Sequence, residues 1–174
     1  MKKNLAIMTL SLLLFTLLCG CNSKLPDNAS NLEGTWKVGA TYITQGARDY
    51  LVSLEDFPEI AGPYDNFLLV ITDDGYFTYT TITAVYNGKL TALKNNKNAY
   101  LLTNESVKSF FPDNEDSVAK VPYIIEIIPE DPNAIKLNEY DPISGEATAS
   151  RNPYIYAKEN SESSFIATNK TGRK

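Results

Sequence analysis

Short apolar runs separated by turn signals fill most of this chain and restrict it to an antiparallel β architecture. Phe67 to Thr72 is an almost continuous apolar run, and Asp73-Asp74-Gly75 follows it with a glycine that suits a tight turn. Tyr76 to Tyr86 is rich in threonine and tyrosine, which favour strands. Asn87-Gly88 is a strong hairpin signal that leads into Lys89 to Lys94. These segments predict an antiparallel meander.

The same pattern extends along the chain in both directions. A first strand is predicted over Trp36 to Thr44, with one face formed by Trp36, Val38, Ala40 and Tyr42. After the meander, we expect strands over Ala99–Thr103, Val121–Ile128, Ala134–Tyr140 and Tyr154–Lys158. Together these strands predict a mostly β fold, a single antiparallel up-and-down β-barrel of about eight strands.

One segment departs from the strand pattern. Gly46 to Phe57 carries apolar residues at helical spacing, namely Ala47, Tyr50, Leu51, Leu54 and Phe57. Pro58 follows this segment and is expected to end the helix. We therefore predict one short amphipathic helix after the first strand, near one end of the barrel, where it would gate a cavity.

The chain begins with the layout of an exported protein. Met1-Lys2-Lys3 is basic, and Leu5 to Leu18 is apolar but shorter than the roughly 20 residues of a membrane-spanning helix. Leu18-Cys19-Gly20-Cys21 then resembles the cleavage site of bacterial lipoproteins. The resemblance implies that residues 1–20 are removed and that Cys21 receives acyl chains such as palmitate. The protein would then be anchored in the cell envelope, on the extracytoplasmic side of a bacterial membrane. An ordinary cleaved signal, with Cys21 left as a thiol, is the alternative.

Four segments are expected along the chain. Residues 1–20 form the lipoprotein signal peptide, and residues 21–31 form the lipidated cysteine and a tether, because Asn22 to Asn31 is polar and unpatterned. Residues 32–159 form the barrel. Residues 160–174 form a polar tail or an extra edge strand.

Composition argues against several classes of function. The chain has no histidine, and its two cysteines are Cys19 and Cys21, so the domain lacks the commonest general base and any thiolate metal site. A net charge of −5 disfavours nucleic acid as a partner. The acidic run Asp113 to Asp116 lacks the glycine and distal glutamate of an EF-hand and is interpreted as a solvated loop. We expect no catalytic residue, metal or cofactor, and no enzyme. A glycosidase that uses two of the 21 acidic side chains as acid and base is a distant alternative, and the sequence selects no such pair.

A short motif at the start of the first strand suggests a family. Gly34-Thr35-Trp36 resembles the Gly-x-Trp motif of calycin barrels, which include the lipocalins and the fatty-acid-binding proteins. The resemblance implies that Trp36 is a structural plug at one end of the barrel. Asp73-Asp74-Gly75 and the closing strand Tyr154 to Lys158 are similar to parts of bacterial lipocalin-like lipoproteins.

The chain also departs from these families. Lipocalins set an arginine of the last strand against the tryptophan, but neither Arg151 nor Arg173 lies on the predicted closing strand. Fatty-acid-binding proteins hold a carboxylate with an Arg-x-Tyr pair, and this chain has Tyr154-Ile155-Tyr156 at that place. A fatty-acid carboxylate site is therefore not expected.

Two functions remain open. In the first, a small apolar or amphipathic molecule binds in the barrel, and the candidate lining residues are Tyr42, Phe67, Tyr76, Tyr123 and Tyr156. In the second, the barrel is filled by its own side chains and works through its outer surface, as an envelope interaction or inhibitor module. An internal volume of at least ~300 Å³ would favour the first function.

Overall fold

The computed structural model describes residue 25 and residues 27–111, 122–148 and 152–169. The elements of these residues in chain order are η1 (a 3-10 helix, Asp27–Leu32), β1 (Gly34–Gln45), β2 (Arg48–Ser53), α1 (Pro58–Ala61), η2 (a 3-10 helix, Gly62–Tyr64), β3 (Leu68–Ile71), β4 (Tyr76–Thr80), β5 (Ala84–Leu93), β6 (Asn96–Ser109), β7 (Tyr123–Ile127), β8 (Ala134–Asp141), β9 (Glu146–Ala147), β10 (Tyr154–Lys158) and α2 (Ser164–Asn169).

Several predicted features lie outside these described ranges. They are the signal at residues 1–20, the lipidation site Cys21, the acidic run Asp113 to Asp116, and both Arg151 and Arg173. Within the described ranges, no helix has both the length and the apolar character that a membrane crossing requires.

Eight strands of the described residues close into an antiparallel barrel. The order is β1-β3-β4-β5-β6-β7-β8-β10, and β10 completes the ring because it pairs with both β8 and β1. Two further strands lie outside this ring: β2 follows the second half of β1, and β9 follows the end of β8. The predicted closed antiparallel barrel of about eight strands is confirmed.

Cross-strand pairing decides which side chains fill the barrel. Trp36 lies opposite Leu69, Leu69 opposite Tyr79, and Tyr79 opposite Tyr86. Directly opposed residues share one face of a sheet, so these side chains all point inwards. All four are buried and belong to one core cluster, which also contains Tyr156 of the closing strand.

A β-bulge at Gly39 divides β1 into two parts that face opposite ways. Between Val38 and Ala40, two residues of β1 advance against one residue of β10, so Gly39 is an extra residue. Trp36 and Val38 belong to the main core, whereas Ala40 belongs to a second cluster against which Tyr42 packs. The predicted common face of Trp36, Val38, Ala40 and Tyr42 is therefore wrong, because the bulge shifts the alternation by one residue.

The predicted helix over Gly46 to Phe57 is wrong, and the short helix follows β2 instead. Gly46 adopts a φ of +67° at a turn, and the chain then returns along β1 as β2. Leu51 packs in the second cluster, while Leu54 packs in the main core. The segment is thus buried on two opposite sides, and this gives its apolar residues a spacing that resembles that of an amphipathic helix. Pro58 begins α1 rather than ending a helix, which agrees with the preference of proline for a first turn.

The predicted hairpin at Asn87-Gly88 is also wrong. The turn lies earlier, between the end of β4 at Thr80 and the start of β5 at Ala84, and Asn87-Gly88 lies within β5. A bulge in the pairing with β6 occurs at this dipeptide. A Cβ on Gly88 would overlap the backbone carbonyl oxygen of Thr103, so the glycine permits close approach of two strands.

One end of the barrel is closed by η1 and Trp36. The indole Nε1 donates a 2.8 Å hydrogen bond to the carbonyl oxygen of Leu32, and Trp36 is completely buried. Leu25 and Ala29 are buried in the same cluster. The stretch predicted as a polar tether over 21–31 thus includes packed residues, and the folded unit begins before Leu32. The Lys158 ammonium lies 5.5 Å from the Trp36 ring and covers it from the end of β10.

The described part of the C-terminal segment forms a helix rather than an edge strand. Ile166 of α2 is buried in the second cluster, and its Cδ1 would lie 2.8 Å from a Cβ placed on Gly39. Asp131 holds the start of α2: its Oδ2 accepts hydrogen bonds from the Ser163 hydroxyl (2.7 Å) and the Phe165 backbone N–H (2.8 Å). Burial alone would raise the pKa of Asp131, but these hydrogen bonds outweigh burial and lower it.

We expect Trp36→Ala to lower the free energy of unfolding by about 3–5 kcal/mol, because it empties the closed end of the barrel. Urea denaturation followed by circular dichroism measures the change. Phe111→Ala is the control, because Phe111 is 55% exposed and its loss should change stability by less than about 0.5 kcal/mol. A loss below about 1 kcal/mol for Trp36→Ala would contradict the assigned role of the tryptophan.

We expect Asp131→Asn to destabilise the fold by about 1–2 kcal/mol at pH 7, because the charged acceptor of three hydrogen bonds, from Ser163, Phe165 and Asn133, is lost. The folded pKa of Asp131 lies below its unfolded value, so its stabilisation is present above the unfolded pKa and is lost as the pH falls through the folded pKa. Urea denaturation at pH 7 and at about pH 2.5 should show the two proteins converging at low pH. Glu130→Gln, at an exposed neighbour, is the control. A difference that does not depend on pH would refute this account.

Candidate functional site

A cavity of about 480 Å³ opens at the end of the barrel opposite Trp36. Its wall combines aromatic rings with a smaller set of polar groups. The lining residues are Thr41, Tyr42, Tyr64, Phe67, Tyr79, Thr81, Ile82, Thr83, Tyr86, Tyr123, Leu137, Asn138, Glu139, Asn152 and Tyr154. The volume lies within the range of roughly 300–1,000 Å³ typical of small-molecule sites.

Barrel topology explains why residues far apart in sequence meet at this mouth. Neighbouring strands are antiparallel, so the starts of some strands and the ends of others lie at the same rim. Tyr86, Tyr123 and Tyr154 lie at or near the starts of β5, β7 and β10, whereas Tyr79 and Glu139 lie near the ends of β4 and β8. The segment of α1 and η2 delivers Tyr64 to the same rim.

Three tyrosines form the inner wall of the cavity. The rings of Tyr79 and Tyr86 are stacked with centroids 5.9 Å apart, and Tyr123 meets them edge-on at 5.0 and 5.7 Å. Beneath them the hydroxyl of Tyr156 donates a 3.3 Å hydrogen bond to the hydroxyl of Tyr79. This contact closes the cavity towards the packed core.

A second aromatic group stands at the outer edge of the mouth. Tyr64, Phe67 and Tyr154 form a triangle with centroid separations of 5.9, 5.7 and 5.6 Å. Because Tyr64 comes from η2 and Tyr154 from β10, the triangle joins the connecting segment to the barrel wall. The element beside the mouth is therefore α1 with η2, and not the helix predicted over Ala47 to Phe57.

The tyrosines of the inner wall are held as neutral phenols. Burial is the main cause that raises the pKa of Tyr79, Tyr86, Tyr123 and Tyr156 above the ordinary tyrosine value. The negative charge of Glu139 adds to the increase for Tyr86 and Tyr123. The wall thus offers hydroxyl groups and ring faces, together with one carboxylate.

The structure brings three of the five sequence-predicted lining residues to the cavity. Tyr42, Phe67 and Tyr123 lie on its wall. Tyr156 is completely buried below the cavity. Tyr76 lies on the outside of β4, where it is 40% exposed and the Lys89 ammonium is 4.5 Å from its ring centroid.

Sequence reasoning missed several residues of the wall. Tyr79 had a usable signal, because strand alternation from Tyr76 puts Phe77 and Tyr79 on the other face. Tyr86 had none, because the turn between Thr80 and Ala84 interrupts that alternation. Glu139 follows Ile135 and Leu137 on one face of the predicted strand, but a charged residue is normally expected to face solvent. Tyr64 had no signal, because the η2 segment has no periodic pattern.

The cavity wall offers aromatic ring faces, hydroxyl groups, amide groups and one carboxylate. Among the described residues, no group of three or more histidine, cysteine, aspartate or glutamate side chains is placed to hold a metal ion. Comparison with protein-family models finds no match to this chain, and comparison with curated proteins finds none either. The closed barrel is compatible with a calycin-like fold.

We expect Tyr100→Phe to leave the stability unchanged or to raise it, because the buried Tyr100 hydroxyl has no hydrogen-bond partner among the described residues. Tyr156→Phe is the matched comparison, since it removes a paired hydroxyl and should cost about 1 kcal/mol. Urea denaturation of both variants tests the contrast. Equal losses would mean that the two hydroxyl groups are equally well satisfied.

Proposed function

We propose that this protein is a lipid-anchored, extracytoplasmic barrel that binds a small apolar or amphipathic molecule in the tyrosine-lined cavity. The observation that carries the proposal is the cavity itself. Its volume of about 480 Å³ exceeds the ~300 Å³ expected of a binding site, and its wall combines aromatic rings with a few polar groups. The resemblance of Gly34-Thr35-Trp36 to the calycin motif supports the same conclusion.

The two ends of the barrel differ in the way that a binding function requires. Trp36 and Leu32 pack at the closed end, so a ligand would enter through the tyrosine-lined mouth. Phe67 and Tyr64 of the outer triangle are only partly buried and belong to the connecting segment, which can adjust to a ligand more readily than paired strands can.

The anchoring half of the proposal rests on the sequence from Leu18 to Cys21. Two or more acyl chains on Cys21 would hold the protein stably, because each buried methylene contributes about 0.8 kcal/mol. Leu25 is packed at the closed end, where its backbone N–H donates a 3.1 Å hydrogen bond to the carbonyl oxygen of Asp73. Three residues lie between Cys21 and Leu25, and the four steps from one to the other reach at most roughly 14 Å, so the anchor would lie on the side of the closed end.

A second candidate function is an interaction module that works through the rim of the mouth. Ile82, Phe110 and Phe111 are 53%, 50% and 55% exposed, and the Phe110 backbone N–H is bonded to the carbonyl oxygen of Thr83 on that rim. Exposed apolar side chains that lie together are typical of protein contacts. Replacing Phe110 and Phe111 by serine would abolish partner binding in this case, but would leave ligand affinity intact if the cavity is the working site.

We expect native mass spectrometry of the protein released from membranes to show a co-purifying small molecule. Tyr123→Leu should reduce its occupancy or affinity about fivefold to tenfold, because one aromatic wall of the cavity is lost. Tyr76→Leu is the matched control, since Tyr76 lies outside the barrel and should leave binding unchanged. The cavity proposal would be contradicted if no bound molecule were found and if no member of a panel of lipids and sugars bound to the protein.

We expect Cys21→Ser to move the protein out of the membrane fraction, because it removes the atom that takes the acyl chains. Cys19→Ser is the matched control and should leave the protein membrane-bound. Detergent partitioning and intact-mass measurement follow the change, and the mass also shows whether residues 1–20 have been removed. A mature protein of unacylated mass would refute the lipid anchor while leaving the binding proposal untouched.

A further inference from the structure

We infer that the ligand of the tyrosine-lined cavity carries an oxygen that accepts hydrogen bonds from tyrosine hydroxyls of the inner wall. This inference rests on the proposed binding function and adds to it the chemical group by which the ligand is recognised. It depends on the number of hydroxyl hydrogens that four tyrosines hold and on the bonds in which those hydrogens are already used.

The bond between Tyr156 and Tyr79 leaves one hydroxyl hydrogen at the cavity wall. A phenol has a single hydrogen to donate, so two hydroxyls that share one bond keep one hydrogen for another partner. Tyr156 donates to Tyr79 over 3.3 Å, and the hydrogen that remains is that of Tyr79, which lines the cavity. The opposite order would leave the completely buried Tyr156 with an unpaired hydrogen in the packed core. Within the described ranges, the Tyr79 hydroxyl has no hydrogen-bond partner besides Tyr156.

A second pair of hydroxyls repeats this arrangement. A side-chain hydrogen bond links Tyr86 and Tyr123, and both residues line the cavity. Whichever of the two donates, at least one hydrogen remains for a further partner. Tyr79 stacks on Tyr86 and meets Tyr123 edge-on, with ring centroids 5.9 and 5.0 Å apart. The remaining hydrogens of the two pairs therefore belong to neighbouring side chains.

The nearby Thr81 hydroxyl is already used by the turn between β4 and β5. It donates to the carbonyl oxygen of Ala84 at 3.1 Å and accepts the backbone N–H groups of Thr83 and Ala84 at 3.2 and 3.1 Å. Its hydrogen is therefore not offered to a ligand. This difference makes the two tyrosine pairs, and not Thr81, the donors to which the inference refers.

A ligand without an acceptor would leave the tyrosine hydrogens unpaired once it had displaced water from the wall. A buried donor without a partner loses more than a well-made hydrogen bond gains, so the wall disfavours a pure hydrocarbon. A ligand that offers only N–H donors leaves the same hydrogens unpaired. A carbonyl oxygen has two lone pairs and can accept from both tyrosine pairs at once.

The apolar part of the same ligand has its own contacts in the cavity. Phe67 brings a ring without a polar atom, and Ile82 lines the cavity while 53% of it remains exposed. Covering such side chains stabilises the complex in proportion to the apolar area removed from water. The ligand is thus an apolar molecule with a carbonyl, ester or ether oxygen directed at the inner wall.

Three neutral bicyclic probes of similar size separate an acceptor from a donor. The aryl ketone indanone carries a carbonyl oxygen, indane carries no polar atom, and indole carries an N–H donor. Because all three are uncharged, a net charge around the mouth does not by itself favour one of them. Their affinities for the full chain, held in nanodiscs of zwitterionic lipid, are measured by calorimetry and corrected with empty nanodiscs.

Phenylalanine variants remove the hydroxyl groups and keep the rings. Tyr79→Phe should weaken indanone about fivefold, because the hydrogen that Tyr156 retains lies below the cavity. Tyr86→Phe or Tyr123→Phe alone leaves one hydroxyl hydrogen at the wall and should cost less than about twofold, whereas the two changes together should cost about fivefold. None of these variants should weaken indane. Tyr100→Phe is the matched control, because Tyr100 is buried but is not among the described lining residues.

The infrared carbonyl band of bound indanone reads the contact directly. Hydrogen bonds to a carbonyl oxygen lower its stretching frequency, so the band should lie below its position in an apolar solvent. It should move back towards that position in Tyr79→Phe and in the double variant of Tyr86 and Tyr123, but not in Tyr100→Phe. Circular dichroism of each variant confirms that the barrel is intact.

The outcomes separate the inference from the proposed function. If indane binds and Tyr123→Leu weakens it, but the phenylalanine variants change indanone and indane equally, the inference is overturned and the binding function stands. An unshifted carbonyl band, or a loss confined to indole, would also overturn the inference. If no probe binds at millimolar concentration and no small molecule co-purifies, both are overturned.

Discussion

The pairing of β10 with both β1 and β8 is the contact on which the rest of this structure depends. Tyr156 lies opposite Val38 on one side and Ile135 on the other, so the last strand joins the first half of the sheet to the second. Closure removes the two open edges that a flat sheet of these strands would leave unpaired. It also divides every strand into an inner and an outer face, and without that division neither the buried core nor the cavity would exist.

Two departures from regular pairing give the barrel its unequal ends. The bulge at Gly39 turns the second half of β1 outwards, where β2 and α2 cover it. The mouth is bounded by Thr41 and Tyr42 of this second half of β1 and by Tyr64 of the connecting segment, as well as by other barrel strands. The bulge at Gly88 lets β5 and β6 approach closely along a long pairing. Both bulges use glycine for the space that it leaves, since neither residue needs a positive φ.

Much of the fold was predictable because alternation and turn signals survive in a single sequence. The strands over β3, β7, β8 and β10 were placed within a few residues, and closure followed from their number. The wrong predictions, of a helix over Gly46 to Phe57 and of a hairpin at Asn87-Gly88, have one cause. Leu51 and Leu54 are buried by different neighbours, and Asn87-Gly88 serves a bulge, so their local signals report tertiary contacts that a sequence does not contain.

The site was less predictable than the fold for a related reason. Counting tyrosines indicates an aromatic interior but not which rings face it: Tyr76 lies on the outside of β4, whereas Tyr79 lines the cavity. The place of Glu139 in the cavity wall is harder still to predict from the sequence. Its meaning depends on the register of β8 against β7, which places it opposite Tyr123. In isolation the same residue is one of 21 acidic side chains.

The proposed anchor constrains the route by which a ligand could reach the cavity. A lipid on Cys21 would hold the protein by its closed end, because Leu25 is packed there beside the β3–β4 turn. The tyrosine-lined mouth, at the other end of the barrel, would then face away from the membrane to which the protein is attached. A ligand would have to reach it through water or from a partner, and not by sliding out of the same bilayer.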